Sequence, residues 1–133
     1  GKNAKAITSL ETAISLNPKA GSLYYKLISL LDEEKRTKDA YLWRKRLTQI
    51  DQSNIKLVGK LIEDGGAFGA TAKEILRWGE MGNHIAPFSI DHHLVFAKEL
   101  LRLGMKKKAR FELKSALVVD PTHAESLKLL SEL

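Results

Sequence analysis

The sequence predicts an all-α chain, an α-solenoid of antiparallel helix pairs with about three and a half repeats of 34 residues. Three observations predict it. The phrases "AITSLETAISLNP" (residues 6–18) and "ARFELKSALVVDP" (109–121) both place alanine, leucine, alanine and proline in one frame, four, three and five residues apart. They lie 103 residues apart, one more than three periods of 34, and a period of that length marks stacked helical pairs. Upstream of the second alanine phrase of each pair, apolar residues recur at helical spacing: Tyr24, Leu27 and Leu31 before Ala40, and Phe96 and Leu100 before Ala109, with His93 in the tyrosine position.

Each element follows from its caps and breakers. Helices are expected over 4–16, 21–34, 37–50, 54–64, 72–81, 91–103, 106–119 and 123–132, and no strand. Ala6, Ala13, Ala109 and Ala116 are small and let helix backbones approach, while Leu10 and Leu113 fill the space between. Pro18 and Pro121 cannot continue the helices before them. Stepping the frame by 34 from Ala6 gives Ala40, Arg44, Leu47 and Gln52. Thr71 and Glu74 form a capping box, and Gly104 suits a left-handed helix end.

The frame divides a single domain into a half repeat (1–20), a repeat (21–54), a divergent repeat (55–89), a repeat (90–123) and a closing helix (124–133). The phrase at 6–18 belongs to the second helix of a unit, so the sequence reads as a piece of a longer array. Ile7, Leu10 and Ile14 are then expected to face an upstream helix, and the open edge is a candidate for self-association. In the divergent repeat, "EDGGAFGAT" (63–71) and "GNHIAPF" (82–88) replace tight turns, and the helix between them is expected to stop at Met81. Phe68 and Phe88 are either loop anchors for a partner or, the preferred reading, plugs for the gap that a short helix leaves. Gly59, Gly65, Gly66, Gly69, Gly79 and Gly82 mark this stretch as the least protected of the interior.

Composition bounds the function. Apolar residues are 44% and charged residues 29% of 133, which is globular rather than disordered. The apolar runs are too short to insert into a membrane. Cysteine is absent, which excludes disulfides and thiolate metal sites without fixing a compartment. No cofactor motif is present: "GGAFGA" has neither phosphate-loop spacing. Asp91, His92 and His93 resemble ligands, but adjacent helical residues point about 100° apart, so no metal site is expected. With no nucleophile constellation, the chain reads as a non-enzyme. "KKKAR" (106–110) is read as a solvated face. "EKRTKDAYLWRKR" (34–46) is read as core aromatics with outer charges rather than an RNA site, so nucleic acid is disfavoured as a partner.

These phrases resemble the tetratricopeptide repeat family across essentially the whole chain, strongly at 6–18 and 109–121 and weakly at 55–89. The resemblance implies a right-handed solenoid whose first helices line a concave groove. Carried over position by position, it assigns the groove to Tyr25, Lys26, Ser29, Lys56, Lys60, Lys98 and Arg102, a line of positive charge. Lys56 and Lys60 sit one turn apart, as does a basic pair in members that clamp a C-terminal carboxylate, but the asparagines of that clamp have no counterparts here. The implied function is a protein-interaction scaffold for a peptide or protein segment, acidic by charge. An RNA-binding module and a regulatory domain of a larger enzyme are the alternatives.

Overall fold

The computed structural model describes all 133 residues, Gly1–Leu133. Eight helices and no strand form two compact units, Gly1–Gln52 and Ser53–Leu133. The first unit holds α1 (Lys2–Leu16), α2 (Gly21–Glu33) and α3 (Thr37–Leu47). The second holds α4 (Ile55–Gly65), α5 (Ala72–Ile85), α6 (Ile90–Arg102), α7 (Lys106–Val119) and α8 (Ala124–Ser131).

In the first unit α2 packs on both α1 and α3. The predicted stripe of Tyr24, Leu27 and Leu31 is buried, as are Ala40 and Leu47 of α3. Tyr24 also donates its hydroxyl to the carbonyl of Pro18 at 2.7 Å, which ties the start of α2 to the turn before it. One expectation fails here. Ile7 and Ile14 are already buried, because α2 covers that side of α1. The exposed side of α1 carries Lys5, Thr8, Glu11, Thr12 and Ser15, and its one large apolar residue there is Leu16, 82% exposed.

The basic segment of α3 divides as its helical spacing predicts. Tyr41 is buried. Arg44 is buried too, paired with Asp32 at 2.5 Å. Arg46 lies outside, over the Trp43 ring at 4.2 Å, and Trp43 meets Tyr24 edge-on. The helix ends at Leu47 rather than at Ile50, its last carbonyls closed by turns through Asp51.

In the second unit α6 packs against α4, α5 and α7, and α8 covers α7. Leu94, Ala97 and Leu113 form a core against which Leu129, Leu130 and Leu133 pack. Thr71 and Glu74 make the reciprocal capping box that opens α5. Gly104 adopts φ +76°, as its place after α6 requires.

The divergent repeat departs from expectation. Helix α5 does not stop at Met81 but runs to Ile85, fourteen residues in all. The reason is a phrase the 34-residue step passes over. A step of 35 from Ala40 lands on Ile75, then Gly79, Gly82 and Pro87, at the same spacings of four, three and five. The frame persists along α5 with smaller side chains, while six residues, 66–71, replace the three-residue connections of the repeats on either side. Glycines 79 and 82 are therefore not loop residues. Both are buried in the middle of α5, where α6 lies close. A Cβ built on Gly79 would sit 2.1 Å from the Phe96 ring, and one on Gly82 2.0 Å from the His92 ring. The empty leucine position on α5 is thus filled from α6.

Helix propensity favours alanine over glycine by about 1 kcal/mol in a helix interior. At these two positions the sign reverses, because Phe96 and His92 are buried and have nowhere to retreat. Gly79→Ala and Gly82→Ala should each destabilise the protein by about 1–3 kcal/mol through overpacking. Urea unfolding measures this; a stabilised variant at either position would show that the helices are not in contact there.

Candidate functional site

Between α4 and α6 lies a cavity of about 330 Å³, lined by Ile55, Lys56, Gly59, Lys60 and Glu63 on one side and by Ser89, Asp91, His92 and Val95 on the other. Local chemistry sets both walls. The Asn54 side chain accepts from the backbone N–H of Lys56 and Leu57, fixing the first turn of α4. Ser89 does the same for α6 by accepting from the His92 N–H at 3.1 Å. Gly59 has no atom within 4 Å of where a Cβ would stand, so its missing side chain widens the opening between the two lysines. Lys60 Nζ lies 3.4 Å from Asp64 and 3.9 Å from Glu63. Lys56 is exposed and forms no ion pair.

Of the seven groove residues expected, the structure brings Lys56 and Lys60 into one cavity. Tyr25, Lys26 and Ser29 are exposed on α2 in the first unit, where the Tyr25 hydroxyl donates to Asp51. Lys98 and Arg102 do not line the cavity. Lys98 pairs with Glu125 of α8 at 2.5 Å, and this contact holds the Glu125 carboxyl below its usual range. Arg102 bonds Glu99 at 2.5 Å and lies over Gly66, whose Cβ would be 2.9 Å from its Nε. Of the five groove cations, Lys60, Lys98 and Arg102 thus have acidic partners one turn away or on α8, and Lys26 and Lys56 form no ion pair. Phe68 is half-buried, but Phe88 is 76% exposed and plugs nothing. The gap it was expected to fill does not exist, because α5 is full length.

The two histidines behind the cavity are held in different states. His93 takes the tyrosine position, and its Nε2 donates to the Pro87 carbonyl at 2.7 Å, as Tyr24 does to Pro18. Its Nδ1 faces Glu112 Oε1 at 2.9 Å, with both side chains buried. With the Glu112 carboxylate and the Pro87 carbonyl both as acceptors, this arrangement favours the imidazolium form of His93. The bond to Glu112 is the main cause that raises its pKa above 6.5, ahead of the opposing effect of burial. His92 differs. Burial lowers its pKa, and its Nε2–H donates to the Gly79 carbonyl at 2.9 Å. Its Nδ1 is buried and has no hydrogen-bond partner. Glu112 went unremarked in the sequence. It stands three residues after Ala109 and one before Leu113, on the inward arc of α7, and an acid at that position signals a buried cation.

No protein-family model matches this sequence, and no curated protein matches it. Solved structures do. A crystal structure of MamA superposes on 98% of this chain and 70% of its own with a TM-score of 0.75 at 13% identity. A second MamA crystal structure gives 93% and 72%, a TM-score of 0.73 and 12% identity. The crystal structure of YrrB, described as a TPR protein with an unusual peptide-binding site, gives 94% and 64%, a TM-score of 0.73 and 16% identity. The chain has the tetratricopeptide-like fold. The stretch α4–α5 differs from the other helix pairs in its longer connection and in the small side chains of α5.

The histidines make stability depend on pH in two directions. His93 is held more tightly protonated in the folded chain, so its contribution is complete below pH 6.5 and lost as pH rises through its raised folded value. The folded-state pKa of His92 is lowered, so its contribution is present above pH 6.5 and lost as pH falls toward that value. Imidazole titration by NMR, alongside urea unfolding across pH, should show His93 titrating above 6.5 and His92 below it. His93→Gln should remove the loss of stability on the alkaline side. A His93 that titrates at or below 6.5 contradicts the imidazolium assignment.

Proposed function

We propose that the chain is a non-catalytic interaction scaffold that binds an acidic peptide or protein segment between α4 and α6. The observation that carries this reading is the cavity flanked by Lys56 and Lys60, with apolar walls at Ile55 and Val95. Apolar walls accept side chains of an extended or helical segment, and the two ammonium groups at the mouth fix its carboxylates. The fold supports the reading, since stacked helical pairs present concave surfaces of this kind. YrrB, a similar structure, is described as having a peptide-binding site. Tyr25, Lys26 and Ser29 extend the basic and polar character of the first helices, and Phe88 is free to act as an anchor.

The test compares a pool of fluorescent acidic peptides with a fluorescent oligouridylate by anisotropy. The scaffold reading expects saturable peptide binding with a shallow salt dependence. Lys56→Glu combined with Lys60→Glu should weaken it about tenfold or more with the helical fold retained, since charged hydrogen bonds contribute about 1.5–3 kcal/mol each when desolvated. Undiminished peptide binding by the folded double variant overturns the site. Tight oligouridylate binding with a steep salt slope instead assigns the chain to RNA.

A further inference from the structure

A second cavity of about 280 Å³ is bounded by α5, α6 and α7 and shares no lining residue with the first. Its inner wall is Phe96 and Leu100, both buried, beside Leu76. Phe111 stands at its edge, 67% exposed. That exposure needs a reason, because α7 already fills its inner face with Ala109, Leu113 and Ala116. The outer face of α7 repeats the pattern: Lys107, Phe111, Lys114 and Val118 follow at intervals of four, three and four, which is one stripe of a helix. Val118 is 78% exposed. Lys107, Lys108 and Lys114 are exposed and form no ion pairs, and the one acid of this helix, Glu112, is turned inward to His93. The stripe therefore alternates lysine with a large apolar side chain.

Asn83 lines it and donates Nδ2 to Glu112 Oε2 at 3.3 Å, and its Oδ1 is buried, so the cavity offers an entering group mainly the apolar wall of Leu76, Phe96 and Leu100. The volume has room for one aromatic side chain and lies below the range of small-molecule pockets.

We propose that this face of the second unit is a separate docking surface for an acidic amphipathic segment of a partner protein. The segment seats one tryptophan or tyrosine in the cavity, against Phe96, Leu100 and Phe111, and lays carboxylates along Lys107, Lys108 and Lys114. Aromatic anchors with a polar handle are the usual centre of such contacts. A phosphate backbone or a lipid headgroup suits the lysines but would leave the apolar interior of the cavity unused. A second copy of this chain is a poor occupant. Its tryptophans are buried or half-buried, Tyr24 and Tyr41 are buried, Tyr25 is bonded to Asp51, and its net charge of +6 opposes association with the stripe.

The experiment titrates the isotope-labelled protein with indole, with 1-methylindole, and with a glutamate-rich helical peptide that has one central tryptophan. Indole should shift the Asn83 side-chain amide and the backbone amides of Leu76 and Phe111. 1-Methylindole has the same apolar body and should shift the same residues with comparable affinity. The peptide should bind more tightly than indole and lose about tenfold in affinity with Phe111→Ala, a change at an exposed position that leaves the core intact. Lys107→Glu with Lys114→Glu should weaken the peptide and leave free indole unaffected. Lys56→Glu with Lys60→Glu should change neither, which separates this surface from the first cavity. Indole shifts scattered away from these residues overturn the proposal. So do Phe111 shifts that phosphatidylserine vesicles or oligouridylate produce and the peptide does not.

Discussion

The closeness of α5 and α6 is the constraint on which the second unit depends. Two helices reach such a separation only where one of them gives up its side chains, and α5 does so at Gly79 and Gly82. Glycine in a helix interior is costly in conformational entropy. Here the cost is offset by what enters from the other side. Phe96 occupies the space over Gly79, and His92 that over Gly82, where it also donates to the Gly79 carbonyl. The seating of His92 places one wall of the first cavity, and the seating of Phe96 places one wall of the second. Both candidate surfaces thus descend from the same two missing side chains.

A second device recurs in each unit. The residue six positions after a proline reaches back to that proline's carbonyl, Tyr24 to Pro18 and His93 to Pro87. The carbonyl follows a helix end and has no partner within the helix. A phenol satisfies it with a neutral donor. An imidazole in the same place has a second nitrogen, and the Glu112 carboxylate beside it favours the protonated ring. The substitution therefore brings a buried ion pair into an interior that was apolar at the corresponding place. Such a pair is a weak source of net stability but a strict one, since removing either partner leaves the other charge buried.

Much of this was legible in the sequence. The strong phrases at 6–18 and 109–121 located α1, α7 and the proline turns, because small-large-small spacing and proline act locally. The capping box at Thr71 and the glycine after α6 were legible for the same reason. The length of α5 was not. Glycine is a loop residue by propensity, and the packing that overrides the propensity comes from Phe96 and His92, residues of another helix. The groove suffered a similar loss. Position on the first helices was enough to bring Lys56 and Lys60 together, but it said nothing of Glu125 and Glu99, which take Lys98 and Arg102. Phe111 and Val118 drew no notice because the neighbouring lysines read as a solvated face.

The matched sizes at Gly79 with Phe96 and Gly82 with His92 also bear on how an array of such repeats is ordered. In a stack of uniform repeats any unit can follow any other, because every interface is the same. Here the interface between α5 and α6 is keyed: a helix with hollows at these positions accepts only a successor with large side chains opposite them. An alanine-and-leucine repeat placed before α6 would collide with it, and an ordinary successor placed after α5 would leave voids. The neighbours are addressed to one another, and shuffling, duplication or deletion of single units is barred at this joint while it stays open where the interfaces are alike.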